Sequence, residues 1–337
     1  MRIPFIAVLA TVAVSLALST GAVVAQQPIV IKFSHVVAAD TPKGKAADLF
    51  KKLAEERTKG RVKVEVYANS VLYKDKEEIE ALQLGAVQML APSTSKFGPL
   101  GVPAFEVFDL PFIFPDHVVQ QRVINGPIGV KLFKLLEPKG ILGLAYWDNG
   151  FKQMTTNKPL HMPADMRGLK LRIKASKVLD EQMRVVGANP QVLAFSEVYQ
   201  AMQTGVIDGA ENSLPNIYTQ KFYEVQKNLT ISNHGYGAYA VIVNKKFWDG
   251  LPADVRTILN KAMSEATEYE NKASQEEEDD VVQKIKASGK IEVYTLTKAE
   301  SEAWRKAMLP VHKSMEKRIG AEWIAEINKE ATAAGYR

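Results

Sequence analysis

The chain has 337 residues, a formal net charge of +5 at pH 7 and no cysteine. Without cysteine, the sequence excludes disulfides, thiol catalysis and thiolate metal sites. Lysine and arginine are scattered and form no basic block interleaved with aromatic residues, so no nucleic-acid partner is expected. The length is sufficient for two lobes that each have their own hydrophobic core.

Residues 1–25 have the pattern of a secretory signal peptide. Arg2 supplies a positive charge, residues 3–18 are almost entirely apolar, and the small residues at 23–25 form a cleavage site before Gln26. An uncleaved membrane anchor is the alternative, because an apolar run of this length nearly spans a bilayer. The polar start of the next segment favours cleavage. Export of a chain without disulfides indicates a bacterial periplasm.

The segment that follows predicts an α/β lobe, because strands and helices alternate. The expected strands lie at 28–35, 61–67, 87–92 and 142–147, and the expected helices at 45–58, 75–84 and 128–136. The initial β-α-β-α-β order favours parallel strand pairing. Prolines forbid a long helix at 98–117, so we expect loop and short strand there.

Residues 168–173 predict a short strand that carries Arg172. Apolar and charged residues alternate along it, which is the pattern of a half-buried strand. A guanidinium at a strand end offers a planar fork of donors that matches a carboxylate bidentately, which a lysine does not. A solvated surface charge is the alternative interpretation from these residues alone.

The remaining sequence predicts several helices and one more strand. Ser176 marks a helix start, Ser196 has the composition of an N-cap, and Gly205 has that of a residue just beyond a helix end. A strand is expected at 239–243, one very long helix at 252–286 and a capping box at 297–300.

The sequence contains no convincing motif for a cofactor or a metal. Residues 235–240 have the letters G-x-G-x-x-A of a dinucleotide loop, but a β-branched run follows instead of the helix that would hold pyrophosphate. No G-x-S-x-G, H-E-x-x-H or P-loop pattern occurs, and the five histidines lie far apart. We therefore expect neither a cofactor nor a metal.

The run AFSEVYQAMQTGVIDGAEN at 194–212, together with the strand that carries Arg172, resembles the signature region of the TRAP-transporter solute-binding proteins. This is the DctP family, and the similarity is greatest to its C4-dicarboxylate branch. The similarity continues through 149–153, 218–226 and 229–234, and it covers essentially the whole mature chain.

The resemblance implies a two-lobe α/β periplasmic binding protein of the Venus-flytrap type, in which a long helix spans both lobes. Crossovers between the lobes are expected near 148–151 and 235–238. Lobe I then comprises residues 26–149 and 238–275. Lobe II comprises residues 150–237 and 276–337.

The resemblance also implies which residues bind the ligand. Arg172 is expected to hold one carboxylate in a bidentate pair, supported by Asn212. Lys152, where many relatives have arginine, is expected either to add charge at that carboxylate or to reach the second one. Phe195 is expected to bound the carbon chain. Each has a structural alternative: a surface charge for Lys152, a turn for Asn212 and the core for Phe195.

Four further residues are candidates for the cleft. His35 ends the first strand, where an α/β sheet places ligands, although a structural histidine fits equally well. His234 and Tyr236, near the second crossover, either reach the cleft or pack the hinge. Ser93 ends the third strand and is a weaker candidate.

These features predict a periplasmic receptor for a small C4-dicarboxylate such as malate, succinate or fumarate. It would deliver the ligand to the membrane permease subunits of a TRAP transporter, and we expect a monomer without enzymatic activity. Two alternatives remain open: a receptor for a monocarboxylate such as a 2-oxo or aromatic acid, and a secreted enzyme acting on a small organic acid.

Overall fold

The computed structural model describes residues 27–336, so the expected signal peptide lies outside the described residues. The strands are β1 (Ile29–Ser34), β2 (Val62–Tyr67), β3 (Met89–Leu90), β4 (Ile141–Thr156), β5 (Lys170–Ile173), β6 (Asn189–Val192), β7 (Gly209–Ser213), β8 (Asn228–Asn244) and β9 (Glu292–Thr295). The helices are α1 (Pro42–Arg57), α2 (Glu78–Gln83), α3 (His117–Asn125), α4 (Pro127–Lys134), α5 (Lys177–Val185), α6 (Val198–Gln203), α7 (Leu214–Thr219), α8 (Lys245–Asp249), α9 (Ala253–Ala287), α10 (Lys298–Met308), α11 (Pro310–Ile319) and α12 (Ala321–Ala333). Within this range no helix combines the length and the apolar character needed to cross a membrane.

The described strands form one mixed sheet in the order β2-β1-β3-β8-β4-β7-β5-β6, with β9 paired to the start of β8. β1 is parallel to both β2 and β3, which confirms the expected parallel pairing in the first part of the chain. β4 and β8 are antiparallel partners and connect the two halves of the sheet. Their pairing runs from Ile141 opposite Asn244 to Thr156 opposite Asn228.

β4 and β8 are both longer than predicted. The strand expected at 142–147 continues to Thr156, and the one expected at 239–243 is only the last part of β8. Gly150 has a φ of 76°, and the pairing register shifts between Asp148 and Gly150. A bulge of this kind bends a strand without ending it. The expected crossover at 148–151 therefore lies within a continuous strand.

The proline-rich segment 98–117 contains no strand, so the expectation of a short strand there was wrong. It forms a 3₁₀ helix at Pro103–Asp109, because proline at the first helical position needs no N–H partner. α3, which the sequence did not predict, begins at His117. The Asp116 side chain accepts a hydrogen bond from the Val119 N–H at 2.8 Å and so caps this helix.

The structure confirms most of the helix starts and ends that the sequence predicted. The Ser176 hydroxyl caps α5, Gly205 follows the end of α6 with a φ of 72°, and Thr297 and Glu300 form the expected capping box of α10. The cap expected at Ser196 was wrong. That residue lies inside a 3₁₀ turn at Phe195–Glu197, and α6 begins two residues later without a side-chain cap.

α9 is the long helix expected to span both lobes. It has 35 residues and is therefore about 52 Å long at 1.5 Å per residue. Near its start, Val255 and Leu259 are buried in one core with residues of β1, α1 and β2. Near its end, Val281 and Ile285 are buried in a second core with residues of α6 and β7. The spanning helix is thus confirmed.

The last two helices pack differently from the expected lobe assignment. Val311 and Ile319 of α11 and Ile327 of α12 belong to the same hydrophobic cluster as Val119 and Val123 of α3. The last two helices of the expected lobe II therefore share a hydrophobic cluster with α3 of the expected lobe I, and this cluster also includes Val178 of α5.

Candidate functional site

A cavity with an empty volume of about 350 Å³ lies where the two halves of the chain meet. Its lining residues come from both halves: Val36, Val37, Asp75, Glu78, Ser93, Lys96, Asn149, Arg172, Lys174, Phe195, Asn212, Asn216 and Tyr239.

Arg172 lies on β5, and only 1% of its surface is exposed. The structure therefore buries this strand more deeply than a half-buried pattern implies. Its Nε and Nη2 atoms donate to the Leu193 carbonyl at 3.1 and 3.0 Å, and Nη2 is 3.6 Å from Oδ2 of Asp75. No group among residues 27–336 accepts a hydrogen bond from its third nitrogen, Nη1. The guanidinium is thus held in place along one edge and keeps donors for a ligand.

Asp75 connects the two halves of the chain at the cavity wall. Its carboxylate forms a salt bridge with Lys96 and accepts the Phe195 N–H at 3.1 Å. Burial alone would raise the pKa of Asp75, but Lys96 and Arg172 hold it below its usual value. The carboxylate is therefore ionised. It offsets only part of the positive charge around it.

Lys174 comes directly after β5 and lines the same cavity as Arg172. Only 8% of its surface is exposed, and it forms no salt bridge with the residues that the structure describes. Burial, assisted by the charges of Lys152 and Arg172, lowers the pKa of Lys174 to about 7, although Glu211 and Asp109 oppose this shift. Lys174 is therefore a cavity-lining cation without a carboxylate partner.

A cluster of amides forms another part of the cavity wall. Asn212, on β7, accepts hydrogen bonds at Oδ1 from the Ser213 N–H at 2.9 Å and from Asn216 Nδ2 at 3.0 Å. Asn216 Nδ2 is also 2.9 Å from the Tyr239 hydroxyl and 3.2 Å from Asn149 Oδ1. These contacts orient the Asn212 amide so that its Nδ2 has no acceptor within residues 27–336. This group is a free neutral donor at the cavity.

Comparison with known proteins identifies the family of this chain. The family model DctP, bacterial extracellular solute-binding protein family 7, matches residues 33–318. This chain belongs to the DctP family. The C4-dicarboxylate-binding periplasmic protein DctP of Rhodobacter capsulatus is 61% identical over 327 residues, which covers 97% of each chain.

Solved structures of the family have the same fold. The TRAP periplasmic solute-binding protein of Sulfurospirillum deleyianum, with bound succinate, is 47% identical, has a TM-score of 0.87 and covers 90% of this chain and 99% of its own. The corresponding protein of Pseudomonas aeruginosa PAO1, with bound L-malate, is 45% identical, with a TM-score of 0.83 and coverage of 85% and 100%. The resemblance inferred from the sequence and the two-lobe α/β fold are confirmed. Like these relatives, the chain is a periplasmic binding protein.

In this DctP-family chain, four of the eight predicted site residues line the cavity: Arg172, Asn212, Phe195 and Ser93. The Phe195 ring centroid lies 5.7 Å from Cζ of Arg172, a distance typical of a cation–π contact. The Ser93 hydroxyl lies 3.3 Å from that of Ser95. These four cavity residues lie up to about 120 positions apart in the chain.

Lys152 does not line the cavity, which differs from the expected position facing the cleft. Its Nζ lies 3.2 Å from Oε2 of Glu211 and 3.6 Å from Oδ1 of Asp109, and all three side chains are buried. Burial alone would lower the pKa of Lys152, but the two carboxylates raise it. Burial would likewise raise the pKa of Glu211, but Lys152 and His234 hold it well below its usual value. The protein itself thus supplies two counter-charges for this lysine.

His35, His234 and Tyr236 are also buried outside the cavity lining. Burial lowers the pKa of His35 to about 3, so its ring is neutral, and neither ring nitrogen has a hydrogen-bond partner among the described residues. His234 contacts the Ser232 hydroxyl at 2.8 Å, and the Tyr236 hydroxyl donates to Asp148. His234 and Tyr236 are therefore packed inside the protein and are absent from the cavity lining.

Sequence analysis missed several lining residues. The sequence could have identified Lys174, because the alternation that singled out Arg172 predicts Lys174 on the same face as Arg172. Asn149 lay inside a segment that carried the family resemblance. Asp75 and Lys96 had no local signal, since only the folded chain brings them to Arg172. Among residues 27–336, no group of three histidine, aspartate or glutamate side chains is arranged to hold a metal.

Proposed function

We propose that this DctP-family protein is the periplasmic receptor of a TRAP transporter and captures a C4-dicarboxylate such as succinate or malate. The observation that carries the proposal is that Arg172, Lys174 and Asn212 line one cavity and each keeps a donor that has no acceptor among the described residues. Relatives with bound succinate and L-malate, at 47% and 45% identity, support the same ligand class.

The arrangement favours a ligand with two carboxylates. Arg172 Nη1 and Asn212 Nδ2 would hold one carboxylate, and Lys174 would hold the other. Two anionic groups that leave water need paired donors to offset their desolvation. The ring of Phe195 would border the carbon chain. Lys152 has no direct ligand role in this scheme, because Glu211 and Asp109 already compensate its charge.

We further propose that the two lobes close on the ligand by bending at β4, β8 and α9, the elements that run through both. The lobe boundaries follow the sequence expectation, except that α11 and α12 move with lobe I, with which they pack. Small-angle scattering should show a smaller radius of gyration at saturating succinate. An unchanged radius would contradict closure.

In this function no bond is made or broken, and the ligand passes unchanged to the permease subunits. The protein is expected to act as a monomer. Incubation with succinate followed by mass spectrometry should return the intact acid, and turnover would contradict a pure receptor. Light scattering of the purified protein should give the mass of one chain.

A thermal-shift screen of C2 to C6 mono- and diacids, followed by calorimetry on the best ligands, tests the main proposal. A ligand that binds only the folded state stabilises it by about 2.7 kcal/mol at one hundred times its Kd. Succinate, malate or fumarate should raise the melting temperature far more than butyrate, which has the same carbon number and one carboxylate. Equal shifts with matched monoacids would favour the monocarboxylate alternative.

A further inference from the structure

The cavity wall contains a buried carboxyl group that the binding scheme above does not use. Glu78 is the first residue of α2, it lines the cavity, and 1% of its surface is exposed. Neither of its carboxyl oxygens has a hydrogen-bond partner within residues 27–336. A buried carboxyl group without a donor is costly, so its position beside a ligand cavity calls for a reason.

The nearby charges compensate Glu78 without hydrogen bonding to it. Lys43 donates to the Ala91 carbonyl at 3.0 Å, and its Nζ lies 3.5 Å from the ring centroid of Tyr239. Lys96 is paired with Asp75. Burial raises the pKa of Glu78 to about 7, while Lys43 and Lys96 oppose that rise. The carboxyl group is left with unused capacity to accept hydrogen bonds at the cavity.

The chemistry of the ligand decides what can meet this acceptor. The carboxylates and the methylene groups of a dicarboxylate offer no donor to this acceptor. A hydroxyl group on the carbon chain offers one. An ammonium group would also donate, but Lys96, Arg172 and Lys174 line the same cavity and would repel it.

We infer that Glu78 accepts a hydrogen bond from a hydroxyl group of the ligand, so that the site prefers hydroxylated C4-dicarboxylates such as malate over unsubstituted ones such as succinate. This inference rests on the proposed function, because it needs the two ligand carboxylates to be held by the cationic part of the cavity. Glu78 is then a residue that determines specificity within the diacid class.

Calorimetry with malate, succinate and aspartate on the full mature chain tests the inference. The variants are Glu78→Ala, the nearly isosteric Glu78→Gln, and Glu80→Gln as an exposed control on the same helix. A hydrogen bond to a charged group corresponds to roughly a tenfold to hundredfold change in affinity. Glu78→Ala should weaken malate binding by about that factor and leave succinate binding equal or tighter, so the malate preference collapses.

Glu78→Gln keeps a carbonyl acceptor and the side-chain shape, so it should retain part of the malate preference even if the alanine variant folds poorly. Glu80→Gln should change neither affinity. Equal weakening of malate and succinate in both Glu78 variants would overturn the inference and leave the proposed function standing, as would tighter binding of aspartate than of malate by the unaltered protein. Failure of the unaltered protein to bind any diacid would overturn both.

Discussion

Two of the groups of buried cations within residues 27–336 differ in their counter-charges. The cavity group consists of Lys96, Arg172 and Lys174, and the ionised Asp75 is shared between the first two. The inner group has Lys152 as its one cation, with two carboxylates within 3.6 Å. Cations in both groups are almost fully buried. Burial therefore does not distinguish them, but the balance of charge does.

The difference shows where an anionic ligand can bind. The inner group is neutralised by the protein, so a ligand carboxylate would have to displace Glu211 or Asp109. The cavity group has fewer counter-charges than cations and keeps unpaired donors at Arg172 and Lys174. A buried cation becomes a ligand site where the fold leaves its charge uncompensated.

The largest effect is expected when Lys152, the inner cation, is removed. Lys152→Met leaves two buried carboxylates without their partner, and breaking a buried ion pair costs roughly 3–5 kcal/mol. We expect urea denaturation to show a loss of that size in the free energy of unfolding. Diacid affinity measured by calorimetry on the folded variant should stay close to the original value.

The control for this variant is Lys158→Met, an exposed position two residues beyond the end of β4. It should alter neither stability nor affinity. A large loss of diacid affinity in Lys152→Met with little loss of stability would restore the direct ligand role that the sequence suggested for Lys152.

Removing the central cavity cation should mainly affect binding. Arg172→Ala leaves one ligand carboxylate without its charged partner, which costs roughly 2–5 kcal/mol, or about 30-fold to several-thousand-fold in Kd. Arg172→Lys should fall between, since lysine keeps the charge but loses the planar fork. Arg184→Ala, on the exposed face of α5, is the matched control. An unchanged Kd for the best diacid in a folded Arg172→Ala protein would eliminate this site.

Removing Lys174 tests whether the second cation serves the second carboxylate. A hydrogen bond to a charged group contributes about 1.5–3 kcal/mol, so Lys174→Met should weaken succinate binding by roughly 10- to 150-fold. Butyrate, which lacks the second carboxylate, should lose much less. Lys170→Met, the exposed cation at the start of the same strand, provides the comparison. If both acids weaken by the same factor, Lys174 acts on the first carboxylate.

The smallest expected effect is on the pH dependence of binding. Burial lowers the pKa of Lys174 to about 7 in the empty cavity, and a ligand carboxylate beside it would raise that pKa. Binding then takes up a proton, so affinity should be highest below pH 7 and fall as the pH rises above it. The fall is at most about tenfold per pH unit for one group. Calorimetry at pH 6, 7 and 8 in buffers of different ionisation enthalpy measures the uptake.

Glu78 titrates in the same range, because burial raises its pKa to about 7, and it too would take up a proton beside a dianion. Lys174→Met separates the two contributions. The variant should show a shallower fall above pH 7 than the original protein. An identical slope would mean that Lys174 does not change its protonation on binding.

The sequence by itself determined the features whose causes are local. The alternation around Arg172 predicted its strand, Ser176 and Thr297 marked helix starts, and residues 252–286 predicted one very long helix. Each rests on side chains that interact within a few residues of one another, so the pattern is visible without the fold. The family resemblance likewise rests on short continuous motifs.

Only the tertiary structure decided how the buried charges are shared. Asp75 reaches Arg172 and Phe195 from about one hundred residues away, and Lys152 meets Glu211 across paired strands. The sequence shows that these side chains are charged, but not which opposite charge each one meets when it leaves water. Because that pairing determines which cations remain uncompensated, the cavity and its free donors become visible only in the folded chain.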